Sequence, residues 1–349
     1  GGGQCRCLGC PLRGCGPGSV LECEGKTNGV SMNKGAIAAV IPVRNEITTL
    51  PVLVESLLNQ TEPIDELVIV DGGSVDGTTE MAMELADGDP RISVIVAGPA
   101  SPGRGRNLGI EATSAPLILL VDAGISIDGS LVEMLMARRD ADPQCRMVLG
   151  SRRIQADPRW RAAAIITGIR ERECVEGQWG RFDLIPSLLD RQLWEGVGGF
   201  RDWRAGEDLD FMERLALSPP RILKAPLAEA VWDLAVDRRR VFQKWRTYEY
   251  HNAVHGNSWH RPTFLWNSLG GALAATATVV IGLPGLLFLL GPHVLRSAVR
   301  YRRHCWRGDD EVAGGPWVFL QAVAASVFAD VATFLGYVDF RLGRLSQEL

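Results

Sequence analysis

Two adjacent acids, Glu207 and Asp208, sit in the most chemically suggestive stretch of the chain, GVGGFRDWRAGEDLDF at 196–211. Neighbouring carboxyls repel when both are ionised, and that raises the pKa of one of them. The same pair also suits the first turn of a helix, whose dipole favours negative charge. Another acid, Asp122, closes the apolar run PLILLVD (116–122) and is followed by Ala123 and Gly124. One carboxylate can anchor Mg²⁺, which takes one or two protein carboxylates beside phosphate oxygens and waters. Arg106 and Asn107 lie at the start of a helix after Pro102-Gly103, where an anion is favoured; a capping pair is the plainer reading. Asp71 precedes Gly72-Gly73 and is either an acceptor for a base N–H or a turn acid. Pro42, Arg44, Asn45 and Glu46 follow the first apolar run, where polar side chains can grip a ribose or a base.

The elements that must position these residues alternate. Short apolar runs at 36–43, 66–74, 91–97, 116–122 and 146–151 read as strands, the first without polar interruption, as a strand buried on both faces should be. Between them, 48–60, the stretch opening at 105–113, and 128–139 read as helices. This alternation predicts an α/β fold with a mainly parallel sheet flanked by helices. In such sheets ligands bind beyond the carboxyl ends of the strands. Arg44, Asp71 and Asp122 all fall at such ends.

The chain has 349 residues, 46% hydrophobic and 22% charged, enough for one large domain or two ordinary ones. Its net charge of −4 hides an imbalance: 237–308 holds eleven Lys or Arg against Asp237 and Glu249. Basic residues around apolar stretches suit an anionic membrane surface better than a nucleic acid, which is not expected as a partner. Residues 269–291 carry no charge and are long enough to cross a bilayer, with Pro284-Gly285 as a break; 316–338 is a second candidate with one acid, Asp330. The basic loop 296–307 and the basic stretch before Trp266 both belong on the cytoplasmic side. A pair of buried core helices is the alternative. Five of eight cysteines lie in the first 23 residues; they suggest either a zinc site or a disordered Gly/Cys-rich leader over 1–34, with Met32 a candidate natural start. No apolar signal-peptide segment is read at the N-terminus.

The motifs VIPVRNE (40–46), VIVDGGSVDGTT (68–79), GRNLGIEAT (105–113), LLVDAG (119–124), GVGGF (196–200) and GEDLDF (206–211), in this order, resemble family 2 glycosyltransferases. The resemblance covers roughly 36–255. It implies a GT-A (Rossmann-like) fold over 35–258, followed by membrane-associated C-terminal helices over 259–349. The implied activity is sugar transfer from a nucleotide diphosphate donor with inversion. By carry-over, Asp208 is the base that takes the acceptor hydroxyl proton and Glu207 its neighbour. Pro42, Arg44, Glu46, Asp71, Arg106 and Asp122 become donor-binding residues, with Arg246 reaching the pyrophosphate or else facing the membrane. Asp122 becomes the ligand of a divalent cation, Mg²⁺ or Mn²⁺. Most relatives hold that ion with Asp-x-Asp; here Gly124 replaces the second Asp, as in some relatives, which leaves open which metal is held and how tightly.

Processive relatives carry Gln-x-x-Arg-Trp at this place; Gln243-Lys244-Trp245-Arg246 is not that motif, so polysaccharide synthesis is not expected. The expected donor is a UDP-sugar and the expected acceptor a lipid-linked sugar or glycolipid, as for a cell-envelope glycan. The catalytic domain is expected on the cytoplasmic face of a membrane. Two other classes remain. A sugar nucleotidyltransferase would want a Gly-rich phosphate loop after the first strand. A catalytically silent membrane scaffold would tolerate loss of Asp208. Trp194 and Trp203 are sugar-stacking or core aromatics, and His251, His255 and His260 form a weak metal pattern.

Overall fold

A computed structural model describes residues 35–156, 184–234, 238–255, a few positions between 291 and 302, and 315–343. The Cys-rich leader, 269–290, His260 and most of 296–307 lie outside the described residues, so the zinc reading, the first candidate span and the basic loop lie there too. The described elements are β1 (Ile37–Val43), α1 (Leu50–Leu58), β2 (Glu66–Asp71), α2 (Thr78–Gly88), β3 (Ile92–Val96), α3 (Pro102–Glu111), β4 (Leu117–Leu120), β5 (Ile125–Ile127), α4 (Leu131–Asp140) and β6 (Met147–Ala156). They continue with β7 (Ser187–Asp190), α5 (Arg191–Val197), α6 (Glu207–Leu217), β8 (Ile222–Leu234), α7 (Arg238–Val254) and α8 (Gly315–Leu342).

The strands form one sheet in the order β3-β2-β1-β4-β7-β6-β8-β5. β1 pairs in parallel with β2 and β4, and β2 with β3. This half is the Rossmann-like part expected from the alternation, and β1 is buried from Ile37 to Ile41 as its apolar sequence requires. The other half departs from the expectation of a mainly parallel sheet. β7 runs antiparallel to β4 and β6, β5 antiparallel to β8, and β6 parallel to β8. The sheet is therefore mixed. The strands that make it so are short or late: β5 has three residues and β7 four, too few for a period to show.

Helix α1 places Leu50, Leu53, Val54 and Leu57 in the core, the i, i+3, i+4, i+7 stripe of a helix with one buried face. Helix α3 begins at Pro102, three residues before the expected Gly105. Pro at the first turn loses no hydrogen bond, and Ser101 caps the helix by accepting from the Arg104 N–H. α3 lies unusually close to its neighbours. A Cβ at Gly109 would stand 2.4 Å from Val40 Cγ1, and one at Gly103 only 1.9 Å from the Arg201 carbonyl oxygen.

The candidate span 316–338 falls within α8, which packs along α7. The helices approach so closely that a Cβ on Gly336 would lie 2.2 Å from the Arg246 carbonyl oxygen. Among the described residues no helix is long and apolar enough to cross a membrane.

Candidate functional site

The strand order turns at β1 and β4, since β2 and β3 extend from one side of this pair and the remaining strands from the other. Open α/β sheets form a ligand crevice at such a switch point. Four segments converge there: the loop after β1, the loop after β4, the first turns of α3, and the N-terminus of α6.

Arg106 joins them. Its Nη1 donates to Glu207 Oε1 at 2.7 Å and its Nη2 to Asp122 Oδ1 at 2.7 Å. Arg106 is 3% exposed and Glu207 6%, while the Asp122 side chain is 40% exposed. One end of this ion-pair chain is therefore dry and the other wet. The guanidinium also lies over the Phe200 ring, 5.5 Å from its centroid, a cation–π contact. Burial pushes the Glu207 carboxyl up to about 7; Arg106 opposes the rise and Asp208 adds to it. Burial lowers the Arg106 pKa, but Asp122 and Glu207 more than offset it and hold the guanidinium charged.

Asp208, next to Glu207, is half-buried, and its Oδ1 accepts from the Leu209 N–H at 2.8 Å. The two acids thus differ in kind. Glu207 is committed to Arg106, whereas Asp208 bonds only the Leu209 N–H among the described residues and stays partly exposed. Gly206, at φ 81°, caps the start of α6 in the left-handed region, and Glu207 reaches Arg106 of α3 from there.

The Gly-Gly-Phe segment is held by Asn107. Its Oδ1 accepts from the Phe200 N–H at 2.8 Å and from Trp194 Nε1 at 3.1 Å, while its Nδ2 donates to the Phe200 carbonyl at 2.8 Å. Asn107 is a fastener between α3 and the 198–200 turn, and Trp194 belongs to the core. Trp203 stacks on His255, centroids 4.2 Å apart, which covers one face of its ring.

The remaining donor-site candidates divide. Asp71 is 1% exposed, and its carboxylate accepts from Ser74 Oγ at 2.5 Å, Thr79 Oγ1 at 3.0 Å and the backbone N–H groups of Gly73 and Ser74. In this structure it acts as a turn acid. Pro42 lies at the end of β1, against the face of α3 at Gly105. Arg44 comes near Arg204: burial lowers the Arg204 pKa, and the Arg44 charge lowers it further. Glu46 approaches the loop after β4. A Cβ built on Gly124 would lie 3.4 Å from Glu46 Oε1 and 3.6 Å from Oε2.

Arg246 is not brought to the carboxylates. Its Nε pairs with Asp339 of α8 at 2.5 Å, and Asp339 is 5% exposed there. The α7 residue near the site is Tyr248. Burial raises its phenol pKa, and Glu207, Asp208 and Asp122 raise it further. At 100° per residue, positions 246 and 248 point to nearly opposite faces of a helix. The sequence reading named Arg246 and missed Tyr248, because packing on α8 sets which face of α7 turns to the site. Arg204 was likewise missed, because a lone arginine in a loop carries no period.

Among the described residues no three His, Cys, Asp or Glu side chains converge as a metal-binding group. A divalent cation here would rely on Asp122, whose Oδ2 has no partner among the described residues, and on oxygens of a bound phosphate. Those are hard oxygen donors, the type that suits Mg²⁺ or Mn²⁺.

Residues 38–188 match the model of the family described as Glycosyl transferase family 2. The chain is 30% identical over 177 residues to the uncharacterized glycosyltransferase YibD of Escherichia coli (strain K12), covering 48% of each chain. It is 26% identical over 198 residues to the succinoglycan biosynthesis protein ExoA of Rhizobium meliloti (strain 1021), covering 52% of this chain and 58% of that one. The chain thus spans about half the length of these curated relatives. Its fold is similar to that of the mannosyltransferase PcManGT from Pyrobaculum calidifontis, solved in complex with GDP-Man and Mn²⁺. The TM-score is 0.50 at 16% identity, over 89% of this chain and 88% of that one. Residues 38–188 are thus similar in sequence to glycosyl transferase family 2, and the fold is similar to that of a mannosyltransferase.

Proposed function

We propose that this chain transfers a sugar from a nucleotide diphosphate donor to a hydroxyl acceptor, with inversion at the anomeric carbon. The observation that carries the proposal is the Asp122–Arg106–Glu207 chain across the switch-point crevice, with the half-exposed Asp208 beside it. An inverting transfer needs one accessible base on the acceptor side and charge stabilisation on the leaving-group side. Asp208 has the accessibility of a base. As the acceptor oxygen bonds to the anomeric carbon, the bond from that carbon to the diphosphate breaks and the hydroxyl proton passes to Asp208. Glu207, held by Arg106, fixes the first turn of α6 so that Asp208 keeps its place. Asp122 would hold a divalent cation, whose chemistry there would be charge neutralisation at the diphosphate. Arg44 and Arg204 bring further positive charge to the crevice.

A UDP-sugar is the donor we favour. The mannosyltransferase neighbour's complex with GDP-Man and Mn²⁺ supports the donor class and a divalent cation, and makes GDP-sugars the competing choice. We assign the acceptor to a membrane-bound glycan or glycolipid and the catalytic domain to the cytoplasmic face. The support is the uncharged segment 269–291 and the basic residues of 237–308.

The test is release of nucleoside diphosphate from a panel of UDP- and GDP-sugars in the presence of lipid-linked sugar acceptors. Wild-type protein should release it, and Asp208→Asn should be slower by about 10²–10⁴-fold with nucleotide affinity unchanged. Equal release by the variant would remove Asp208 from the chemistry, and no release by either would favour the silent scaffold.

A further inference from the structure

Position 124 lacks the carboxylate that most Asp-x-Asp relatives place there, and the fold brings another carboxylate to the gap. Gly124 adopts φ 82°, where an L side chain is strained. A Cβ there would also meet the Glu46 carboxyl, at 3.4 Å from Oε1 and 3.7 Å from Cδ. Glu46 comes from the neighbouring loop after β1, whose strand pairs in parallel with β4.

Its backbone is tied down at both ends. The Glu46 N–H donates to Thr78 Oγ1 at 2.9 Å, and its carbonyl accepts from the Leu50 N–H at 2.9 Å. The side chain is steadied as well, because Oε2 accepts from Thr49 Oγ1 at 2.5 Å. Oε1, the oxygen nearer Gly124, accepts no hydrogen bond among the described residues. Asp122, two residues before Gly124, is arranged in the same way: Oδ1 takes Arg106, and Oδ2 has no partner among the described residues. Each carboxylate is thus oriented by one oxygen and presents the other.

Two hard donors of this kind match what Mg²⁺ or Mn²⁺ takes from a protein when phosphate oxygens and waters complete the octahedron. No third carboxylate is required, in keeping with the absence of a three-residue metal group among the described residues.

We propose that Glu46 replaces the missing second carboxylate: with Asp122 it holds the divalent cation that binds together with the donor diphosphate. The proposal rests on the nucleotide-donor reading above. It turns Gly124 from a loss into a fit, since the residue that vacates the gap is the one that admits Glu46.

The test is calorimetric titration of UDP into wild-type protein and Glu46→Gln, each with and without Mn²⁺, with Mn²⁺ occupancy read by its paramagnetic resonance signal. Gln keeps the Thr49 contact and the side-chain length, and metal-free UDP affinity reports that the variant is folded. The expected result is UDP binding strengthened by Mn²⁺ in the wild type, a loss of about tenfold or more of that strengthening in Glu46→Gln, and equal metal-free affinity. Equal Mn²⁺ strengthening in both proteins overturns the proposal. So does a variant weakened equally with and without Mn²⁺, which would place Glu46 on the nucleotide itself. Wild-type UDP binding indifferent to Mn²⁺ overturns the cation assignment but leaves the donor reading standing. No UDP binding by the wild type under any condition overturns both.

Discussion

Replacing Arg106 by Met should expose the energetics of the site. The substitution keeps the length of the side chain and removes its charge. Asp122, with its side chain 40% exposed, regains water and loses little. Glu207, at 6% exposure, has no such recourse. Removing one partner of a buried pair costs about 3–5 kcal/mol, most of it the uncompensated charge left behind. Glu207 can escape the cost by binding a proton. Its folded pKa is already pushed up to about 7 from an ordinary 4.5 with Arg106 in place, and loss of the guanidinium raises it further. A carboxyl raised on folding contributes stability below its unfolded pKa, and that stability is lost as pH rises through the folded value. The wild type should therefore lose some stability between about pH 4.5 and 7, and the variant should lose more, over a range reaching higher. Near pH 5 the variant's cost should shrink to about 1–2 kcal/mol, the worth of the Asp122 hydrogen bond and the Phe200 contact. Urea unfolding followed by tryptophan fluorescence at low and high pH measures this, with Arg106→Met/Glu207→Gln closing the cycle and recovering most of the loss. A cost that does not change with pH, or a double variant no better than Arg106→Met, would refute the reasoning.

Other expectations follow from close contacts and from the placement of single residues. Gly103→Ala drives a Cβ to 1.9 Å from the Arg201 carbonyl oxygen and should lower the urea midpoint by the equivalent of about 1–3 kcal/mol. Gly196→Ala, in α5 with open space around it, should be neutral or stabilising by up to about 1 kcal/mol and serves as the control. Asn107→Ala removes three hydrogen bonds that hold Trp194 and Phe200 and should cost about 1–3 kcal/mol, read in the same unfolding experiment. Arg246→Ala strands the buried Asp339 and should destabilise by about 1–2 kcal/mol, below a fully buried pair because Arg246 is 37% exposed. Its UDP affinity by calorimetry should match the wild type, and a tenfold loss would return Arg246 to the donor site.

The first half of the fold was legible because β1, β2 and β4 are largely buried apolar runs and its helices are long enough to show a face. β1, β2, β3 and β4 stand within a few residues of where the sequence puts them. The mixed half was not legible. β5 and β7 are too short for a pattern, and β8 pairs with β6 and β5 only through contacts distant in sequence. At the site, residue type and order singled out Arg106, Asp122, Glu207 and Asp208. What they do not reveal is division of labour: that Arg106 spans both acids, that Asp71 spends its carboxylate on its own turn, that Asn107 fastens Phe200, and that α7 turns Tyr248 rather than Arg246 toward the carboxylates. Each depends on a distance set by packing. The approach of Glu46 to Gly124 is of the same kind, since 78 residues of chain separate two positions that the β1–β4 pairing sets side by side.

The central claim is that the switch-point crevice binds a nucleotide sugar. Its most direct test is calorimetric titration of UDP, GDP and their common sugar conjugates into the full chain in the presence of Mn²⁺. The account predicts saturable one-site binding, with a Kd between about 1 μM and 1 mM as enzymes show for their substrates, weakened by Asp122→Asn. Heats indistinguishable from dilution for every nucleotide would contradict it.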